Sequence, residues 1–191
     1  MVSGRMLRSI GVGAIAYGVG FLLTGAAVTV GGGPAWRSLQ AEIGSTGAAG
    51  WAFYSAHVVG VSEGSPAFLE GSVRLFNELV PDIPVVAFYL IPVVVLLIAG
   101  ALNAVADAEF EPTDRTGAAH TGARIANGYA VLAVLGAMVL VYDEPGVVSG
   151  TDVGPDIGAT LILMGFVFPM ALGGLGGVLA TWLARRHQGS T

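Results

Sequence analysis

The sequence contains no cysteine and no lysine, and it has few charged residues of any kind. The absence of cysteine excludes disulfide bonds, thiolate metal ligands and cysteine nucleophiles. All eight basic residues are arginines, and thirteen acids bring the net charge to −5, so an extended basic surface for nucleic acid is excluded. Only 11% of the 191 residues are charged, whereas a soluble domain carries about 25%. A water-soluble surface is therefore not expected.

Sequence motifs of known chemistry are missing as well. The chain has no HExxH zinc motif, no nucleotide-binding loop and no Ser/His/Asp set in a known catalytic pattern. The acidic residues Asp107, Glu109 and Glu111 could hold a hard cation weakly, but Pro112 ends the run. We interpret this run as part of a solvated loop. The sequence thus predicts no enzyme, no metal site and no cofactor.

Long apolar runs are the dominant feature of the chain, whose mean hydropathy is +0.76. A bilayer core about 30 Å thick requires roughly 20 apolar residues in a helix. Four stretches satisfy this requirement and contain no Asp, Glu, Lys, Arg or His: residues 9–30, 84–106, 125–142 and 157–184. The first run is longer than the roughly 7–15 residues of a signal-peptide core. We predict an all-α membrane protein, in which residues 1–191 form one four-transmembrane-helix bundle.

The arginines indicate the orientation of the four spans, because they are enriched in cytoplasmic segments. With both termini cytoplasmic, six arginines lie inside and two, Arg37 and Arg74, lie outside. A fifth span would reverse this bias. We therefore predict a multi-pass protein of the cell membrane, with a cytoplasmic loop at 107–124 and extracellular segments at 31–83 and 143–156. The outer side then carries nine acids and the inner side four. Such an acidic exterior is typical of proteins solvated at high salt.

The extracellular segment 31–83 is too long to be without structure in a compact protein. It is predicted to form a cap of three short helices. The first, at 34–43, begins with Pro34, a residue favoured in the first helical position. The third, at 65–80, is amphipathic, so that it can lie on the bilayer or over the bundle.

Between those two helices lies the apolar stretch G-A-A-G-W-A-F-Y-S-A-H-V-V-G-V, residues 47–61. As a helix it would reach only about 22 Å, too short to cross the bilayer. We place it at the outer interface, with a re-entrant segment as the alternative. Its candidate gate or interaction residues are Trp51, Tyr54 and His57. The alternative for His57 is a histidine whose hydrogen bond goes to a backbone carbonyl or a tyrosine.

Small and polar residues within the spans predict how the helices pack. Glycines recur at seven-residue or four-residue spacing and allow close helix contact, either within one chain or in a homo-oligomer: Gly11, Gly18, Gly25, Gly173 and Gly177. Asn103 and Asn127 are predicted to join the second and third spans by hydrogen bonds. Pro92 and Pro169 predict kinks.

Three features together resemble a group of small, uncharacterised haloarchaeal four-span membrane proteins, some loosely called transporters. They are the glycine-rich first span, the stretch G-W-A-F-Y-S-A-H and the last span ending F-V-F-P-M-A-L-G-G-L-G-G-V-L-A. The resemblance covers most of the chain and implies no catalytic or binding residue. Two functions remain open. One is an accessory or structural component that contacts the lipid bilayer and a membrane partner, either another protein or a second copy. The other is a small transporter or channel subunit.

Overall fold

The structure is a computed structural model, and it describes residues 4–62, 75–107, 109–143 and 152–188. Within these ranges, four helices are long and apolar enough to cross a membrane. They comprise Gly4–Gly31, Val85–Val105, Arg115–Val139 and Ile157–Arg186. The predicted all-α architecture with four transmembrane helices is therefore confirmed, and the chain is a membrane protein.

The described elements follow one another in the order helix, helix, strand, three helices, two strands and a final helical run. The helices before the last strands are α1 (Gly4–Gly31), α2 (Pro34–Ser55), α3 (Val85–Val105), α4 (Arg115–Ala123) and α5 (Ala126–Val139). The strands are β1 (Val61–Ser62), β2 (Tyr142–Asp143) and β3 (Asp152–Pro155). The last span consists of the short helix α6 (Ile157–Ala159), a π-helix (Thr160–Val167) and α7 (Phe168–Gln188).

The chain divides into two compact units, each of which contains a part of every spanning helix. The terminal unit comprises residues 1–18, 93–132 and 165–191. The cap unit comprises residues 19–92 and 133–164. The boundary in α3 follows Pro92, which lies inside that helix. The π-helix ends directly before α7, whose second residue is Pro169. Its wider winding fits this position, because proline has no N–H for the regular helical bond.

In the terminal unit, the predicted cytoplasmic loop 107–124 is partly helical. Asp114 caps the N-terminus of α4, because its carboxylate accepts a hydrogen bond from the Gly117 N–H at 2.9 Å. Gly122 explains how a sequence without an apolar run folds here, because it allows α4 to pack backbone to backbone against Gly173 and Gly177 of α7. The solvated-loop prediction therefore needs correction for residues 115–123.

In the cap unit, α2 is two helical pieces joined at Gly44. This residue has φ +78° and ψ 160°, which interrupts the helix and favours glycine. The first piece matches the helix predicted at 34–43, and Trp36 on it is buried in the apolar core of the unit. Of the amphipathic helix predicted at 65–80, residues 65–74 lie outside the described residues. Residues 75–79 are helical, with Phe76 and Leu79 buried in the same core.

A small antiparallel sheet in the order β1-β3-β2 also belongs to the cap unit. Val61 pairs with Pro155, and Tyr142 pairs with Val153. The Asp156 N–H donates to the Gly60 carbonyl at 3.1 Å and extends this pairing by one bond. The sheet therefore ties the segment after α2 to the residues that precede the last span.

Large apolar side chains are exposed along the spanning helices. Ile15 is 67% exposed, Leu22 68% and Val139 80%. A water-soluble protein would not leave such surfaces uncovered along four helices. In a bilayer these side chains face lipid or the helix of a partner.

Candidate functional site

The second piece of α2 and the turn that follows it form a hairpin at residues 45–62, which we call the buried hairpin because its middle part, residues 50–57, is buried. From Ala52 to His57 every residue is at most 1% exposed. The helix ends at Ser55, and Val58 adopts φ +62°, an uncommon conformation for a β-branched residue. The Val59 N–H donates to the Tyr54 carbonyl at 3.1 Å, which closes the turn. The helix thus ends in a closed turn inside protein.

Trp51 and Tyr54, two of the candidate gate or interaction residues, attach this hairpin to the third span. The Trp51 indole donates to the Leu140 carbonyl at 2.9 Å. The Tyr54 hydroxyl donates to the Ala133 carbonyl at 2.5 Å. Ala133 is six residues before Val139, the last residue of α5, so this contact lies about 9 Å along the helix from its end.

Phe53 fixes the hairpin to the first span. Its ring packs edge-to-face on Phe21, with centroids 5.8 Å apart. Phe21 is ten residues before the end of α1 at Gly31, or about 15 Å along the helix. Gly25 faces Ala49 on the same side, where an added methyl group would lie 3.3 Å from the Ala49 Cβ. Gly25 therefore packs against the hairpin, in agreement with its predicted role in helix packing.

His57 lies at the tip of the hairpin and is fully buried. Its Nδ1 is 2.9 Å from the Phe53 carbonyl oxygen, and its ring packs on the Phe53 ring at 4.8 Å. Burial lowers the pKa of His57 to about 4, and the hydrogen bond to Phe53 opposes this shift only in part. At neutral pH the imidazole is uncharged and donates from Nδ1 to the carbonyl. The sequence left two alternatives open for His57, a gate residue and a histidine bonded to a backbone carbonyl or a tyrosine. The hydrogen bond to Phe53 is the backbone contact of the second alternative.

The two asparagines predicted as bundle contacts have different surroundings. Asn103 is fully buried, and its amide donates to the Thr121 carbonyl at 2.6 Å and to the Ser9 hydroxyl at 3.1 Å. It therefore joins α3 to both α1 and α4. Asn127 lies on an exposed position and is not brought to Asn103. Ser9 was not predicted from the sequence as a bundle contact. A hydroxyl group in an apolar span was the feature that could have indicated it.

The predicted glycine contacts fall into two groups as well. An added methyl group at Gly173 would collide with Gly122 and Ile125, and one at Gly177 would collide with Ala118. At Gly11 and Gly18, an added methyl group would meet no atom within 4 Å among the described residues. Of the two predicted alternatives, packing within the chain is therefore not found for these two glycines among the described residues, and contact in a homo-oligomer stays a prediction. Within the chain, Gly13 fills the packing role on α1, where it meets Ile125.

Arginines hold the connection between α3 and α4. Arg5 binds Glu109 through both terminal nitrogens, one of them at 2.9 Å. Arg8 donates to the Ala106 carbonyl and lies 3.3 Å from the Asp107 carboxylate. The hydrogen bond that the Glu109 N–H donates to Asp107 lowers the pKa of this carboxyl group, and the charges of Arg5 and Arg8 lower it further. Arg5 also lowers the pKa of Glu109.

The same connection borders a cleft of about 290 Å³ in the terminal unit. Its lining mixes both signs of charge, from Arg5, Asp107, Glu109, Glu111 and Arg124. Within the part of the chain that the structure describes, no three histidine, aspartate or glutamate residues are grouped closely enough to hold a metal ion. Arg185 donates to the Pro112 carbonyl at 2.6 Å and fixes the loop from the side of α7.

A family model described as "Family of unknown function (DUF7978)" matches residues 3–184. No curated protein and no solved structure matches the chain.

Proposed function

We propose that this chain, which belongs to the DUF7978 family of unknown function, is an accessory or structural component of a membrane rather than an enzyme. The observation that carries the proposal is the contact of α7 with two other helices through glycines. Gly173 and Gly177 lie against α4, while Gly176 lies against Leu97 on α3. A structural component needs such a fixed arrangement of helices.

The terminal unit has the contacts expected of a rigid frame. Gly100 faces Gly173 so closely that a methyl group on Gly100 would overlap the Gly173 backbone. Close backbone approach of this kind maximises van der Waals contact, which is the main source of helix association in lipid. The buried amide of Asn103 adds hydrogen bonds to two further helices. Sliding one helix past another would break these contacts together, which favours a single arrangement.

The partners proposed for this protein are the lipid bilayer and a membrane protein, either a second copy or a different chain. The exposed apolar side chains of the spanning helices supply the contact surface. We place the protein in the cell membrane with both termini in the cytoplasm, in agreement with six arginines in the terminal unit and two in the cap unit. A haloarchaeal source fits the excess of acids in the cap unit, which holds nine of the thirteen.

A transporter or channel subunit is the second candidate, and the buried hairpin favours it. Its residue Phe53 contacts Phe21, about 15 Å from the end of α1, which is half the thickness of a bilayer core of about 30 Å. On this reading the hairpin is re-entrant. Non-helical backbone at such depth is tolerated only inside protein or beside a water-filled cavity. Interrupted helices mark substrate sites in transporters, and π-helices are frequent at functional sites.

Transport and complex formation in purified material separate the two candidates. The protein is reconstituted into liposomes, and the flux of protons, sodium, potassium, chloride and small organic solutes is measured. An accessory component gives no flux above empty liposomes, and native mass spectrometry in mild detergent gives a complex of fixed stoichiometry. A transporter gives flux that Tyr54→Phe or His57→Asn reduces, while Arg37→Gln, an exposed substitution in the cap unit, leaves it unchanged. That result would contradict the accessory function.

A further inference from the structure

A groove of about 720 Å³ in the terminal unit lies between the beginning of α1 and the junction of α4 and α5. Its lining consists of Gly4, Arg5, Met6, Arg124 and Asn127. The volume is within the range of roughly 300–1,000 Å³ that small-molecule sites occupy. The groove thus combines two guanidinium groups and an amide with an apolar side chain, Met6, that is 44% exposed.

The positive charge of the groove that is free to bind a ligand belongs to Arg124. The Arg5 guanidinium is neutralised by Glu109 and Asp107. Arg124 is exposed, and the described residues offer it neither a hydrogen bond nor an ion pair through its side chain. Asn127 is also exposed, and its side-chain amide has no hydrogen bond to the described part of the chain. Because the Asn127 N–H donates to the Arg124 carbonyl at 3.2 Å, the turn between α4 and α5 holds both residues at one place.

The surface below these polar groups is apolar and open. Val131 follows Asn127 by one helical turn on α5 and is 57% exposed. On α1, Gly4 lines the groove, and Gly11 and Gly18 repeat at seven-residue intervals, so they lie on nearly the same face. An added methyl group at any of the three would meet no described atom within 4 Å. A shallow furrow therefore continues from the groove along α1.

The charge of the whole unit has the sign that an anionic ligand requires. The terminal unit contains six arginines and four acids. Two of these acids, Asp107 and Glu109, are paired with Arg5 or Arg8, and Asp114 caps α4. Basic pockets between transmembrane helices at the membrane surface bind the headgroups of anionic lipids.

We propose that this groove binds the phosphate of an anionic phospholipid. Arg124 and the Asn127 amide contact the phosphate oxygens, and one acyl chain lies along the furrow of Gly4, Gly11 and Gly18 beside Val131. A charged headgroup site at one end of an uncharged furrow matches a phospholipid, whereas a second copy of this chain would bring a second positive charge to the same place.

The test uses the full chain in mild detergent and titrates phosphatidylglycerol, with phosphatidylcholine as the uncharged control, by native mass spectrometry. The wild type retains phosphatidylglycerol selectively. Arg124→Gln weakens this binding about fivefold, the contribution of one arginine near a membrane surface, and the double variant with Asn127→Ala weakens it further. Arg37→Gln removes the same charge from an exposed position in the cap unit, and it leaves the binding unchanged.

Gly11→Leu tests the furrow independently of charge. The Cβ of the added side chain meets no described atom within 4 Å, so we expect the thermal unfolding midpoint to be retained while phosphatidylglycerol retention falls. Equal retention of both lipids, or equal affinity of wild type and Arg124→Gln, would overturn the proposal. Binding of inorganic phosphate that competes fully with the lipid would assign the site to a free anion. A dimer that Gly11→Leu dissociates would assign the furrow to a second copy.

Discussion

The Tyr54 hydroxyl donates a hydrogen bond to the Ala133 carbonyl, across a distance of 2.5 Å, and neither atom is accessible to solvent. This bond attaches the buried hairpin to the interior of the third span rather than to its end. A tyrosine in an interfacial belt would instead direct its hydroxyl toward water. The hairpin is therefore part of the core of the cap unit, whichever function the protein has.

Replacement of Tyr54 by phenylalanine tests this attachment. The ring and its packing remain, and only the hydroxyl is lost, so we expect a decrease of about 0.5–1.5 kcal/mol in the free energy of unfolding. Equilibrium unfolding in detergent micelles measures the change. Tyr142→Phe, on strand β2 and only partly buried, is the control and is expected to change stability less. Equal effects of the two substitutions would show that the Ala133 bond contributes nothing specific.

Two glycine substitutions form a matched pair. Gly177→Ala places a methyl group against the Ala118 backbone, whereas Gly11→Ala places it in open space. Overpacking of a closely packed contact costs about 1–3 kcal/mol, so Gly177→Ala should lower the unfolding midpoint while Gly11→Ala leaves it unchanged or raises it. A stable Gly177→Ala protein together with a destabilised Gly11→Ala protein would reverse the assignment of the packing faces.

The stability of the cap unit should depend on pH through His57. Its pKa falls from 6.5 to about 4 on folding, so the unfolded chain binds a proton that the folded chain excludes between these values. The contribution of the neutral His57 to the free energy of unfolding is therefore fully present above pH 6.5, and it decreases as the pH falls toward 4. Unfolding of wild type and His57→Asn across this range measures the effect. If His57→Asn kept the full pH dependence of the unfolding free energy, a group other than His57 would be responsible for it.

A second pH dependence, at lower pH, belongs to Asp107. Its pKa is held below the ordinary value of 3.8 by the Glu109 N–H bond and the two arginines. The stabilisation is present above pH 3.8 and is lost as the pH falls through the lower pKa of the folded chain. Asp107→Asn should remove part of this acid sensitivity and leave the His57 slope intact. If Asp107→Asn abolished both slopes, the two residues would not titrate independently.

The membrane orientation can be tested with single cysteines, because the chain has none of its own. Thr46 and Thr113 are both exposed, whereas Ser55 is 1% exposed and unsuitable for labelling. A membrane-impermeant maleimide on intact cells should label Thr46→Cys and spare Thr113→Cys until the cells are opened. Labelling of Thr113→Cys from outside would invert the predicted orientation.

The sequence predicted the elements that depend on local composition. Apolar runs without charge identify the four spans, and the paired glycines around Leu175 identify the close helix contact of α7. Periodicity could not show which face meets a neighbour, so it left the row of Gly11 and Gly18 open between packing within the chain and in a homo-oligomer. Within the chain, Gly13 provides that packing. The sequence also could not show that Asn103 is buried whereas Asn127 is exposed, because both lie in apolar spanning helices.

Features that depend on distant pairing were not visible in the sequence. Helix α4 has no apolar run, and it packs through Gly122 against Gly173 of α7, about fifty residues further along the chain. Strand β1 pairs with a segment more than ninety residues away at Pro155, and two-residue strands carry no alternating pattern. The π-helix Thr160–Val167 also has no local signature apart from the proline that follows it.

The most direct test of the accessory function is native mass spectrometry of the protein purified in mild detergent from its own membranes, combined with flux measurement on the same material in liposomes. The account predicts a complex of fixed stoichiometry, with a second copy or one defined membrane protein, and no solute flux above empty liposomes. A monomer that conducts a solute, with flux that His57→Asn or Tyr54→Phe reduces, would contradict it.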